Sequence, residues 1–244
     1  MPSAPYWLVM PAAGRGERVG GGIPKQYLPL AGRAMIEWSL APFLEDPQCA
    51  GLVLALAADD ALWPASRARL GRSVQEARGG ATRAASVRAG LAALGEAGAA
   101  ADDWVLVHDA ARPCITAAEI RALRAAVLAA DGASCGILAL PLADTLKRGD
   151  AGPDRAVRSV ETLPREALWR ALTPQMARLG ALRAALDAAA AAGRSPTDEA
   201  QAMEWQGAAP MLVPGAATNF KVTTADDMRL AEAVLAARAA GGQA

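Results

Sequence analysis

The sequence predicts an α/β fold in which a mostly parallel sheet carries helices on both faces and a β-arm projects from it. Two observations carry this. Apolar runs of strand length alternate with helix-spaced apolar stretches through the first half of the chain. A glycine-studded basic loop follows the first run directly, at the carboxyl end of a strand, where such sheets bind ligands.

Tyr6 to Met10 is the first apolar run and reads as a buried strand. The stretch from Val9 to Gln26 then brings Gly14, Gly16, Gly20, Gly21 and Gly22 together with Arg15, Arg18 and Lys25. Glycine lets backbone N–H groups turn inward toward a ligand, and the cations add full charges. An ordinary tight turn also needs glycine, but strand, glycines and spaced cations together favour a polyphosphate. No Gly-Lys-Ser/Thr occurs, which excludes a Walker A loop. Val19 stands where the dinucleotide fingerprint requires its third glycine. A triphosphate with a departing pyrophosphate suits the loop better.

Helical spacing of Ile36, Leu40, Phe43 and Leu44 marks a helix from Met35 to Leu44. Gly51 to Leu56 is a buried strand. Asp59 to Leu70 reads as a helix, with Pro64 against it. Ser73 to Ala77 is a short strand leading into Gly79-Gly80. Thr82 to Leu94 is a helix with Val87, Leu91 and Leu94 on one face. Asp103 to Val107 is a strand ending on His108-Asp109. Thr116-Ala117-Ala118-Glu119 is a capping box opening a helix to about Ala130, and Ser134 to Leu140 is the next strand. This Rossmann-like rhythm breaks between about Pro141 and Pro164. There a strong turn signal, Lys147 to Asp154, separates short strand-like runs. A projecting hairpin arm over about 141–165 is one reading and a disordered surface loop the other. Leu168 to Met176, a helix from about Arg178 to Ala192, and Ser195 to Ala200 follow. Met211 to Val213 and Asn219 to Val222 read as strands, and Thr224 caps a final helix from Met228 to Ala239. Without a repeat or boundary linker, 1–244 reads as one domain.

Hydrophobic residues make up 53% but aromatics only 4%, so the core is built mainly of Ala, Leu and Val. Lys+Arg and Asp+Glu both total 25, which leaves no global basic field for nucleic acid. Cys49, Cys114 and Cys135 are odd in number and form no Cys-x-x-Cys, so they read as free buried thiols in a reducing cytoplasm. No basic segment precedes the first apolar run, and no uninterrupted apolar stretch approaches the ~20 residues of a membrane span. A soluble cytoplasmic protein is expected.

His108 is the only histidine, so two-histidine zinc ligation is impossible; no Gly-x-Ser-x-Gly is present either. It reads as a histidine packed beside a strand end. Asp109 can hold Mg²⁺ beside phosphate oxygens or cap the turn Ala110-Ala111-Arg112-Pro113. Arg112, before proline, is extended. Gly79-Gly80 admits something flat, such as a base or ribose, or simply starts a helix with Thr82 as N-cap. Lys221 points away from Phe220 and Val222, as a solvated side chain usually does, and Arg165 reads as an exposed cation.

Pro11-Ala12-Ala13-Gly14 with Arg18 and Pro24-Lys25-Gln26, His108-Asp109-Ala110-Ala111-Arg112-Pro113, Thr173-Pro174-Gln175, Thr197-Asp198-Glu199-Ala200 and Asn219-Phe220-Lys221-Val222-Thr223 occur in that order. Together they resemble the 2-C-methyl-D-erythritol 4-phosphate cytidylyltransferases. The resemblance spans about residues 6 to 238, and the cyclodiphosphate synthase domain fused in some relatives is not expected. It implies that CTP and methylerythritol phosphate give a CDP-alcohol and pyrophosphate in the non-mevalonate isoprenoid pathway. It also implies Mg²⁺, and a homodimer whose arms cross to the partner's site. Carried over by position, Arg18 and Lys25 grip the triphosphate and serve catalysis. Ala12, Ala13, Gly14, Gly80 and Ser86 line the cytidine pocket. Asp109, Thr173 and Lys221 hold the acceptor phosphate, with Asp109 near the metal, and Arg165 from the other subunit completes that grip. Ala81 departs from the acidic residue common there, so cytosine selectivity falls to backbone groups and Ser86. A phosphate monoester has its second pKa near ~6 and needs no general base, which suits a chain with one histidine. A ribitol 5-phosphate cytidylyltransferase is the nearest rival, from which Ala111 leans away. A CTP or sugar-phosphate sensor without turnover is a rival of another class, and the joint presence of Arg18, Lys25, Asp109 and Lys221 argues against it.

Overall fold

Alternation along the first strand sets up the layers. In the computed structural model, which describes residues 4–14, 22–151 and 155–241, β1 (Tyr6–Pro11) turns Tyr6, Leu8 and Met10 to one side and Val9 to the other, as strand geometry requires. A short hairpin, β2 (Pro29–Leu30) and β3 (Arg33–Ala34), precedes α1 (Met35–Leu44) and β4 (Cys49–Leu56). Then come α2 (Trp63–Arg67), β5 (Gln75–Arg78), α3 (Arg83–Glu96), β6 (Trp104–Val107), α4 (Ala117–Ala129) and β7 (Cys135–Pro141). β8 (Leu146–Ala151) and β9 (Val157–Leu163) are followed by β10 (Trp169–Arg178), α5 (Leu179–Ala191), α6 (Glu199–Glu204), β11 (Met211–Pro214) and α7 (Ala225–Ala240).

The central sheet has seven strands in the order β11-β7-β10-β6-β1-β4-β5. β1 pairs in parallel with both β4 and β6, and only β10 runs against its neighbours. On one face Ile36, Leu40 and Phe43 of α1 and Ile120, Leu123 and Val127 of α4 pack on Leu8, Met10, Leu54 and Leu106. On the other, Val87, Leu91 and Leu94 of α3 and Leu182 and Leu186 of α5 pack on Val9, Val53, Val105 and Val107. α7 covers a third cluster in which Ala231 and Leu235 meet Leu30, Met35, Cys114 and Val222. The expected α/β class and mostly parallel sheet are what the chain adopts. Among the described residues, no helix is long and apolar enough to cross a membrane.

Three expectations need correction. The helix expected over 59–70 shrinks to Trp63–Arg67. Pro64 is tolerated only in its first turn, and the Asp60 carboxylate accepts from Leu62 and Trp63 N–H there. The strand expected at Ser73 to Ala77 runs instead from Gln75 to Arg78. Asn219 to Val222 is not a strand. Instead Asn219 Nδ2 donates to Thr173 O at 2.9 Å and Val222 N to Ala111 O at 2.8 Å, so tertiary bonds replace a ladder. The break after β7 is a hairpin rather than a disordered loop: β8 and β9 pair antiparallel with each other in a separate sheet.

α3 approaches β1 closely enough that a Cβ at Gly90 would stand 2.5 Å from Val9 Cγ1. Alanine is the better helix former by about 1 kcal/mol, but overpacking of a filled core costs about 1–3 kcal/mol. Gly90→Ala is therefore expected to lower Tm in a thermal melt; an unchanged or raised Tm would show that the contact relaxes freely.

Candidate active site

A cavity of about 320 Å³ opens at the carboxyl ends of β1 and β6. Its wall comes from four separate parts of the chain: Pro11 to Gly14 with Lys25 and Gln26, Gly80 to Arg83 with Ser86, Asp109 to Ala111, and Lys221. Local bonds shape each part. Ala12 N donates to Ala55 O at 2.8 Å, and Gln26 Nε2 donates to Ala12 O at 2.8 Å, so the chain leaves β1 in a fixed direction. Gly79 lies so near Ala13 that a Cβ there would meet the Ala13 methyl at 2.4 Å. Ser86 Oγ accepts from Gly80 N at 3.1 Å and donates to Thr82 O at 3.0 Å, folding the Gly-Gly turn onto α3. Thr82 is also the N-cap, accepting from Ala85 N at 3.1 Å.

Charge is arranged around Asp109, which caps the end of β6 and is 6% exposed. Its Oδ1 accepts from Arg83 Nε at 2.9 Å and its Oδ2 from Lys221 Nζ at 2.8 Å. Burial by itself would raise its pKa; the Arg83 and Lys221 charges outweigh that and hold the carboxyl well below the usual carboxylate range. The Arg83 guanidinium forks onto Glu199 at 2.7 and 3.0 Å. Burial opposes its charge, but the two carboxylates hold it protonated. Glu199 goes the other way from Asp109: burial pushes it up, the Arg83 charge offsets this only in part, and the nearby Asp109 and Asp198 push it up further. Lys25 Nζ donates to Val222 O at 2.6 Å, next to Lys221. Arg112 donates to Asn219 O at 2.7 Å and keeps a buried Nε without a hydrogen-bond partner, 3.9 Å from Asp109 Oδ2.

His108 is fully buried and packs on the Phe43 ring, 5.2 Å between centroids. Its two nitrogens lie 3.3 Å from Arg112 O and 2.9 Å from Thr173 Oγ1. With Nε2–H donating to Arg112 O, the Thr173 hydroxyl donates to Nδ1 and accepts from Asp109 N at 3.1 Å. The histidine is a neutral prop beneath Asp109.

Of the residues expected in the site, Ala12, Ala13, Gly14, Lys25, Gly80, Ser86, Asp109 and Lys221 share the cavity wall. Thr173 is 4% exposed and stands behind Asp109, not on the wall. Arg165 lies at the base of the hairpin, exposed, donating to Ala143 O. Arg18 falls outside the described residues. Arg83 and Glu199 were not expected. A signal for Arg83 existed: it is the first residue of α3, where a cation opposes the helix dipole. Cys49, Cys114 and Cys135 are free and buried. Among the described residues no cluster of three or more His, Cys, Asp or Glu could hold a metal by itself.

The family model for 2-C-methyl-D-erythritol 4-phosphate cytidylyltransferase matches residues 6–237. A protein of that name from Pseudomonas aeruginosa is 53% identical over 223 residues, 91% of this chain and 93% of its own length. One from Acidithiobacillus ferrooxidans is 50% identical over 241 residues, 97% and 98% of the two chains. A crystal structure of 4-diphosphocytidyl-2C-methyl-D-erythritol synthase is similar at TM-score 0.81 and 33% identity, covering 95% of this chain and 99% of that one. The Francisella tularensis 2-C-methyl-D-erythritol 4-phosphate cytidylyltransferase is similar at TM-score 0.79 and 33% identity, covering 95% and 100%.

Burial pulls the His108 pKa down to about 3 from an ordinary 6.5. Between those values the unfolded chain binds a proton that the folded chain refuses, so this residue's linkage lowers stability as pH falls from about 6.5 toward 3 and is silent above. The imidazole resonances of the single histidine are expected to stay at their neutral positions from pH 8 to about 5 in a ¹H–¹⁵N correlation series. A titration midpoint near 6.5 would contradict its burial.

Proposed function

The chain belongs to the 2-C-methyl-D-erythritol 4-phosphate cytidylyltransferase family, and from that premise we infer how its cavity does the work. The enzyme transfers CMP from CTP to 2-C-methyl-D-erythritol 4-phosphate and releases pyrophosphate, a step in the non-mevalonate supply of isoprenoid precursors. An oxygen of the acceptor phosphate forms the new bond to the α-phosphorus of CTP. The bond to the bridging α–β oxygen breaks, and pyrophosphate departs with that electron pair.

The observation that carries the residue assignments is convergence: Lys25 near the start of the chain and Lys221 near its end face one cavity beside Asp109. The acceptor phosphate is mostly dianionic at neutral pH and is already a competent nucleophile. The obstacle is bringing it against a triphosphate. Arg18 and Lys25 grip the triphosphate and stabilise the charge that develops on the leaving group. Lys221 receives the acceptor phosphate, and Asp109 keeps that lysine in place, with Thr173 fixing Asp109 from behind. Positioning and charge neutralisation are the main resources for such transfers. Ala12, Ala13, Gly14, Gly80 and Ser86 receive the cytidine, and Ala81, which also lines the cavity, offers the base only backbone groups.

Among the described residues Asp109 is the one acidic side chain on the wall, and it is kept ionised, which fits Mg²⁺ ligated mainly by phosphate oxygens and water. Asp109 would hold the ion, whose charge would offset that of the triphosphate. A cytoplasmic location fits three free, buried thiols. The hairpin leaves Val157 and Val160 exposed at 72% and 60%, which supports a homodimer in which each arm lies on its partner and delivers Arg165 to the partner's cavity.

Pyrophosphate release from CTP is expected with methylerythritol phosphate and at most weakly with ribitol 5-phosphate; the opposite preference would reassign the acceptor. Lys25→Ala and Arg18→Ala are each expected to lower kcat by about 10²-fold, the scale of removing one oxyanion donor. Near-wild-type turnover in either would refute its role. Mixing Lys25→Ala with Arg165→Ala subunits is expected to restore about a quarter of wild-type activity, since half the dimers are mixed and each holds one intact site. No recovery after exchange would place Arg165 in its own subunit's site, and wild-type activity of Arg165→Ala by itself would place it in none.

A further inference from the structure

Thr197 to Ala200 is a sequence motif that the mechanism above leaves without a task. Glu199 is 3% exposed and does not face the cavity. Both its carboxylate oxygens accept from Arg83. Its own place is set from the central sheet. Asp198 caps α6 by accepting from Gln201 N at 2.9 Å. Gln175 of β10 clamps the same turn, donating Nε2 to Asp198 at 2.9 Å and accepting from Ala200 N at 2.8 Å. Glu199 therefore stands on a turn tied to β10, the strand beside β6.

Arg83 spans the gap from that turn to the cavity. A bidentate fork fixes the plane of a guanidinium as well as its position. With two nitrogens held by Glu199, the third direction, Nε–H, is aimed at Asp109 Oδ1. Asp109 Oδ2 is then the oxygen presented to Lys221. The order Glu199, Arg83, Asp109, Lys221 alternates in sign and runs from the sheet to the cavity mouth.

We propose that Glu199 is a positioning residue for cytidylyl transfer: acting through Arg83, it sets the orientation of the Asp109 carboxylate and thereby the place from which Lys221 meets the incoming phosphate. This rests on the reading of Asp109 and Lys221 as the acceptor grip. Without the Glu199 charge, the guanidinium is held by one carboxylate instead of two and is free to rotate about the Asp109 contact. Both the carboxylate and the lysine on its far oxygen then lose their fixed geometry.

The test is steady-state pyrophosphate release by Glu199→Gln, Arg83→Lys, the double variant, Glu199→Asp and Lys221→Ala, with circular dichroism and melting curves to establish that each is folded. Glu199→Gln keeps the side chain's shape and removes its charge. Each of the first two variants is expected to raise the KM for methylerythritol phosphate about tenfold, with the KM for CTP within about twofold of wild type. The double variant is expected to be no worse than the poorer single one, because the pair acts as a unit. Glu199→Asp, which retains the charge, is expected to recover part of the acceptor affinity. Additive effects, or a fall in kcat with acceptor KM unchanged, would overturn the proposal and leave the pair as packing. A raised acceptor KM in Lys221→Ala but not in Glu199→Gln would sink the positioning role alone. An unchanged acceptor KM in Lys221→Ala would remove the grip reading, and this proposal with it.

Discussion

A single carboxylate held between two cations sets the geometry of this site. Asp109 is almost wholly buried at the end of β6, with Arg83 on one oxygen and Lys221 on the other. A buried charge is tolerable only when it is paired and hydrogen-bonded. Breaking such a pair by deleting one partner typically costs about 3–5 kcal/mol, so each of these side chains constrains the rest. Arg83 needs Glu199 as well, and Glu199 is anchored by the Gln175 and Asp198 bonds to the central sheet. These bonds fix the orientation of the Asp109 carboxylate on its side of the cavity.

The fold delivers these groups by a simple device. Parallel strands β4, β1 and β6 end on the same edge of the sheet, so the loops after β1 and β6 meet there, and the Gly-Gly turn after β5 joins them. α3 reaches close to β1 because Gly90 faces Val9, which brings the start of that helix, with Arg83 and Ser86, to the cavity. The segment carrying Lys221 reaches the edge without belonging to the sheet. It is held by Asn219 on Thr173 O, by Arg112 on Asn219 O and by Val222 on Ala111 O.

A phosphate monoester is mostly dianionic at neutral pH and needs no proton acceptor, which is consistent with the place of the histidine. His108 is the only histidine, and it is neutral, buried and occupied by Thr173 and the Arg112 carbonyl. It supports the backbone of Asp109 rather than the chemistry. What the cavity wall carries is positive charge, on Lys25, Arg83 and Lys221.

Much of this was legible in the chain. Continuous apolar runs of strand length located β1, β4, β6 and β7, and the capping box at Thr116 located α4. The glycine-rich basic loop after β1 and Asp109 at the end of β6 marked the candidate site, because those signals are local, whereas Lys221 entered it only through the resemblance. Pairings across the fold were not legible. Nothing near Arg83 in sequence names Glu199, 116 residues away, as its partner. The non-strand course of Asn219 to Val222 and the shortened α2 follow from bonds to distant groups or to a proline's place in a turn. Composition and periodicity state which side chains seek burial. Only the crossing order of the strands decides which buried charges meet, since a charge's partner is set by proximity in space.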